Sequence, residues 1–379
     1  MTAKLWLLEA LDTLFFRDSR PFIMGETDSR GIMSSFPPAM STLQGAVRTA
    51  LAMGQGWRKN GEVAWPEEVL GSFDNLGNLR LQGPYLARNT ARGLEFLFPF
   101  PASVVRSKDK FLHLMPDEEA TWTDLSANSR LPKITEVEDL NEVGELWLTC
   151  PGLAKILAGQ QPLADEVVKS SDLWRYENRA GIQINERTRT VEQGALYSLA
   201  HIRPYSELRL ALIVSGIPVH WHQAAPHLVP LGGESRMVKV HIQDYFDLLP
   251  TFPDFPTNGD KLRFSVTLIT PGHFGKLINS DTEPLTQVQR AVENVVRRGP
   301  LPQFGDCVSA CIPKLTRVGG WDIINRRPRP LRPVIVPGST WFYETEIDRR
   351  DEVVSLHGSH VGESCEYGYG QIIIGKWGN

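Results

Sequence analysis

Several things are scarce in this chain. No apolar run approaches the roughly 20 residues that a bilayer-spanning helix needs. Cysteine occurs four times in 379 residues, at Cys150, Cys307, Cys311 and Cys365, too sparsely for a disulfide scaffold. The CxxxC pair Cys307/Cys311 has no second Cys or His pair at finger-like spacing, so no structural zinc is expected. None of the nine histidines precedes His113. No GxSxG, HExxH or P-loop occurs. His220, His222 and His227 cluster around Trp221 but lack an acidic partner nearby, so no metal or other cofactor is expected. The first ten residues lack a signal-peptide pattern, because Glu9 and Asp12 interrupt the apolar run. A cytoplasmic protein without membrane contact is the expectation.

With 41% hydrophobic and 22% charged residues, the composition is that of a globular protein long enough for two domains. Net charge is −4, which argues against indiscriminate coating of nucleic acid. Its distribution is uneven. From Asp117 to Glu145 there are nine acids against Arg130 and Lys133. From Lys314 to Arg332 there are six bases against Asp322 alone. That segregation suits local RNA contact plus a separate acidic region that is solvated or faces a protein.

Lys4–Leu11 reads as a buried strand. A helix is predicted from about Thr42 to Met53, with Ser41 and Gln44 at capping-box spacing and Gly54 and Gly56 at its end. Its apolar face comprises Leu43, Ala46, Val47, Ala50 and Leu51. Strands are predicted at Leu79–Ala87 and Leu94–Phe100, with a hairpin over Val104–Leu114. About 116–178 reads as an insertion. Gly181–Asn185 and Ala195–Ile202 read as strands around Glu186–Arg189, and Leu208–Ser215 as the start of a second domain. Later come a strand at Leu262–Thr270 and a helix at Leu285–Arg297. The expected fold is α+β, with two ferredoxin-like (RRM-like) domains carrying long insertions and a C-terminal glycine-rich loop. The domains are placed at 1–203 and 204–379.

The richest region is Asp12–Phe22 (DTLFFRDSRPF) followed by Ser35–Thr49. An arginine-bearing loop with Arg17, Arg20 and Arg30 precedes a helix whose first turn offers backbone N–H groups to an anion. Gly45 would let a backbone or base approach that helix. A capped core helix with solvated arginines explains the same residues equally well. Leu231–Arg236 (LGGESR), with Gly232, Gly233 and Arg236, is either a phosphate nest or a turn closed by a salt bridge. Arg187 and Arg189 form a basic hairpin tip. Tyr367–Gly375 (YGYGQIIIG) is spaced GxGxxxxG, unlike a dinucleotide site, and alone reads as a tight turn. Beside Tyr367 and Tyr369, Gly368 and Gly370 would admit a nucleic-acid backbone.

Together these blocks, with Gly181-Ile-Gln-Ile, Thr190–Tyr197 and Thr270–Gly275, resemble one family across nearly the whole chain. It is the RAMP-superfamily subunit that holds the 5′ handle of the guide RNA in type III-B (Cmr) CRISPR effectors. The resemblance implies a binding role, without catalysis. It also implies contacts with the large polymerase-like subunit and with the first backbone RAMP subunit. Arg17, Arg20, Ser41, Thr42, Gln44, Arg48, Arg236, Gly368 and Gly370 match its blocks and are expected to face the handle. A metal-independent endoribonuclease that trims guide precursors is the alternative. It needs a general acid and base around a 2′-hydroxyl, and the first helix and its flanks contain no histidine.

Overall fold

Leu5-Trp6-Leu7-Leu8 is apolar at every position, and a computed structural model shows why: the strand they form is covered on both faces. Trp6 and Leu8 join one core with Leu43, Val47 and Ala50, while Leu5 and Leu7 join a second with Phe98 and Leu153. Full burial of side chains of this size contributes about 1.5–3 kcal/mol each. The structure describes residues 3–17, 32–72, 75–108, 110–121, 130–134, 140–184, 187, 191–255, 260–275, 285–322, 327–329 and 331–378.

The fold mixes α and β, with many strands and few helices. In chain order the main elements begin with β1 (Lys4–Ala10), β2 (Ile32–Met33), α1 (Met40–Gly54), β3 (Arg80–Thr90) and β4 (Gly93–Pro99). Next come β5 (Leu146–Thr149), α2 (Cys150–Leu157), β6 (Val167–Lys169), β7 (Trp174–Ile184) and β8 (Val191–Pro204). They continue with β9 (Leu208–Ser215), α3 (Val219–Ala224), β10 (Leu228–Pro230), β11 (Met237–Asp244) and β12 (Lys261–Leu268). The last are α4 (Leu285–Arg298), β13 (Ser309–Cys311), β14 (Thr316–Val318), β15 (Arg332–Val334), β16 (Thr340–Glu346), α5 (Arg350–Ser355) and β17 (Ile372–Lys376).

Eight strands form one sheet in the order β6-β5-β4-β3-β9-β1-β11-β10, and four form another in the order β13-β16-β12-β17. Within the first, β3-β9-β1-β11 stands as second, third, first and fourth of those strands in chain order. The second sheet repeats that order. In each, a helix follows the first and third strands (α1 and α3; α4 and α5). β17 joins the two bodies. Ile372 and Ile374 point into the second sheet's core while Ile373 packs against the first.

Local elements match the sequence closely. The five predicted core positions of α1 are all buried. The helix nevertheless starts at Met40, with Ala39 as N-cap and no side-chain cap bond. Ser41 is therefore no cap, and Gln44 Nε2 donates instead to the Ser41 carbonyl at 3.1 Å. The capping-box spacing fits, but Thr42 and Leu43 N–H groups both reach the Ala39 carbonyl (3.0 and 3.3 Å), which starts the helix before Ser41.

Longer-range expectations change more. Leu208–Ser215 opens no new domain: as β9 it lies between β1 and β3. β11, ending at Asp244, pairs with β1, so the first sheet extends well past 203. Part of the expected insertion at 116–178 likewise supplies β5 and β6 to that sheet. Apolar alternation fixes which faces of a strand are buried, but not which strand lies beside it. Part of the acidic stretch docks on the second sheet. There the Arg130 N–H donates to the Val308 carbonyl (3.0 Å), and its guanidinium pairs with Glu344 (3.0 Å).

Candidate nucleic-acid interface

β7 and β8 form a long antiparallel hairpin, joined by β2 in a separate three-stranded sheet. Alternation along β7 places Arg175, Glu177 and Arg179 on one face. The register sets them opposite Arg203, His201 and Leu199. Arg203 and Arg179 both bind Glu177.

The same arginines reach Asp12, just past the end of β1. Arg203 Nη1 lies 3.1 Å from Asp12 Oδ1, and Arg179 Nη2 is 3.4 Å from Oδ2. Arg236, from the LGGESR turn, reaches Oδ2 at 3.2 Å. Three segments thus converge on one carboxylate. Burial works to raise the Asp12 pKa, but the Thr13 backbone N–H, Arg203 and Arg179 together hold it below the ordinary carboxylate range. Hydrogen bonds from Arg203 and Arg179 pull Glu177 down to about 2.

The LGGESR turn packs on the strand end. Gly232 has φ of +81°, and a Cβ there would stand 2.4 Å from the Phe15 carbonyl oxygen. That carbonyl also accepts the Gly233 N–H at 2.8 Å. Of the two readings of this turn, the salt bridge is present, formed by Arg236 and Asp12. Beneath the cluster His201 is 1% exposed. It stacks on Phe15 (ring centroids 5.1 Å apart) and contacts Thr13 Oγ1 at 3.1 Å. Burial, then Arg236 and Arg179, lower its pKa.

A second convergence surrounds the first turn of α1. The Tyr369 hydroxyl is buried there, facing the Ser41 backbone N–H. Burial pushes its pKa up to about 12. Gly368 (φ +95°) packs on Gly83, and Gly370 (φ +75°) on the Val361 carbonyl. The other side of Tyr369 contacts His273, with ring centroids 5.6 Å apart. His273 Nδ1 is 3.3 Å from Ser364 Oγ, and burial, then Arg332, pull its pKa down to about 4.

The predicted residues are therefore placed unevenly. Ser41, Thr42, Gln44, Gly368 and Gly370 gather at the second convergence, and Gly232, Gly233 and Arg236 at the first. Arg17 is exposed, and its backbone bridges to Ser34. Arg187 is exposed at the hairpin tip. Arg20, Arg30 and Arg189 lie outside the described residues. Arg48 points inward. It is 8% exposed and donates to the Gly71 and Ser72 carbonyls at 2.9 and 2.5 Å, with its guanidinium over the Trp65 ring.

Asp12, Glu177, Arg175, Arg179, Arg203 and Tyr369 were not among the predicted site residues. The spacing of Arg175, Glu177 and Arg179 at every second position was the one available signal. Cys307 and Cys311 are not poised as thiolates, since burial pushes each up to about 12.

The family model described as CRISPR-associated protein (Cas_Cmr3) matches residues 6–377, and the chain belongs to that family. No curated protein matches it. A chain from the cryo-EM structure of type III-B Cmr-beta bound to cognate target RNA is similar. It shares 16% identity at a TM-score of 0.51, covering 97% of this chain and 96% of that one. A chain of the same complex with target RNA and AMPPnP gives 16% identity and a TM-score of 0.50, covering 93% and 88%. At this identity the likeness is one of fold.

Proposed function

We propose that this chain, a member of the Cas_Cmr3 family, is the non-catalytic subunit of a type III-B CRISPR effector that grips the 5′ handle of the guide RNA. In that role it bridges the large polymerase-like subunit to the RAMP backbone. The shared order of the two sheets, with helices after the first and third strands, supports two ferredoxin-like units. The long stretch from β4 to β8 is then inserted between the second and third strands of the first unit.

The observation that carries the reading is the convergence of Arg179, Arg203 and Arg236 on Asp12. Arg175 stands opposite Arg203 in register, and Glu234 of the LGGESR turn adds its charge beside His201, so four arginines stand among three carboxylates, Asp12, Glu177 and Glu234. The carboxylates fix the guanidinium directions while positive charge remains in excess, which suits positioning of phosphates. The glycine turn held against Phe15 keeps backbone close to that surface. Bases splayed from a single strand would supply the sequence-specific contacts.

Binding without cutting is supported by His201. It stands opposite Glu177 in the arginine cluster, yet it is buried against Phe15, where its ring is closed off from a 2′-hydroxyl. The test is to incubate the purified chain with unprocessed guide precursor in EDTA. Saturable binding with intact RNA is expected. Cleavage at one site would replace this reading with the endoribonuclease.

A further inference from the structure

We infer that the two-stranded arm formed by β14 and β15 is a second contact for a single-stranded RNA backbone, adjoining the Tyr369 loop. The inference rests on the RNA-binding reading above and extends it to a separate surface. In β14–β15, Val318 stands opposite Arg332 and Thr316 opposite Val334. The ladder continues through the Arg329 N–H, which donates to the Gly320 carbonyl at 2.9 Å. Lys314, Arg317 and Arg329 are exposed and Arg332 is half-buried.

Two features fit this arm to a polyanion. Gly319 and Gly320 carry no side chains, and those of the facing strand lie across them. A Cβ at Gly319 would stand 2.8 Å from Leu331 Cδ2, and one at Gly320 would stand 3.5 Å from Arg329 Cδ. Arg329 is thereby laid along the strand, close to Arg332. Burial and the Arg329 charge both disfavour the Arg332 guanidinium, and phosphate oxygens would relieve that repulsion while accepting forked hydrogen bonds.

Position favours RNA over an acidic protein. Just past β15, Ile335 and Gly272 exchange both backbone hydrogen bonds (2.8 and 3.0 Å) next to His273, and His273 touches both Tyr369 and Ser364. The base of the arm therefore lies beside the glycine loop, whose Gly370 N–H donates to the Pro271 carbonyl at 2.8 Å. A strand lying on that loop meets the arm as its next source of positive charge. The guide and the target are both single-stranded sources of this backbone.

The experiment uses the full chain assembled in its effector complex and measures guide and target binding across salt concentrations. Two variants probe the arm: K314A/R317A, at exposed positions only, and K314A/R329A/R332A. R175A/R179A serves as the comparison on the β7–β8 face. Each lost phosphate contact on a single strand lowers the log–log salt slope by about 0.7, so the triple variant is expected to lose about two. A lower slope for guide binding assigns the arm to the guide, and one for target binding alone assigns it to the target. If only R175A/R179A lowers a slope, the arm inference fails and the handle reading stands. If no variant does, both fail. Unchanged slopes with impaired subunit assembly would show an acidic protein on the arm and overturn the inference.

Discussion

The Tyr369 hydroxyl faces the backbone N–H of Ser41. It ties a loop near the C-terminus to the first turn of a helix near the N-terminus. One of the helix's free N–H groups therefore faces the protein's own phenol. Tyr369→Phe keeps the ring packing but removes the oxygen that this N–H faces. The expected cost is about 1–3 kcal/mol, read by urea unfolding. Handle affinity should fall with it, because the glycine loop loses its anchor. Unchanged stability would show that the contact contributes nothing net.

Arg48 was expected to face the handle, but its guanidinium is spent on the Gly71 and Ser72 carbonyls and the Trp65 ring. Arg48→Ala removes charged hydrogen bonds and buried packing together. A loss of about 3 kcal/mol is expected. The salt slope of RNA binding should stay the same, because this arginine reaches no phosphate. A lower slope with unchanged stability would return Arg48 to the RNA surface.

Acid should destabilise the fold before it neutralises the Glu177 carboxylate that holds the arginine cluster. His222 and His273 are nearly inaccessible, and burial holds each at about 4, with Lys4 and Arg332 respectively adding to the effect. A base whose folded pKa lies below its unfolded value binds more protons when unfolded. Stability therefore declines as pH falls from about 6.5 towards 4, by on the order of 2–3 kcal/mol per histidine. Glu177, held at about 2, stays charged throughout that window. Unfolding midpoints measured from pH 7.5 to pH 4.5 should fall steadily, and a flat series would contradict neutral burial of the two rings.

What the sequence made legible was local. The apolar face of α1 and the apolar run of β1 follow from periodicity, and both are buried as read. The Asp12 cluster was not legible. Arg179 and Arg236 lie 167 and 224 residues from Asp12, and nothing near any of them in sequence announces the pairing. The same limit explains β9, whose burial pattern was plain but whose neighbours β1 and β3 were not. At Arg48, helix position alone could not separate an arginine turned to solvent from one turned beneath a loop.

Gly45 separates the two explanations of the helix that the sequence left level, an RNA-facing surface and a plain core helix. It lies within α1, and a Cβ there would meet nothing within 4 Å. Within the protein, then, Gly45→Ala has no clash to offset the gain in helix propensity, about 1 kcal/mol. A higher unfolding midpoint is expected. If RNA lies against this turn, the added methyl occupies its path, and handle affinity should drop several-fold while stability rises. Two effects of opposite sign from one methyl group cannot come from general damage to the fold. If stability rises with affinity unchanged, RNA does not use this face of α1, and the arginine cluster around Asp12 is left to hold the handle without it.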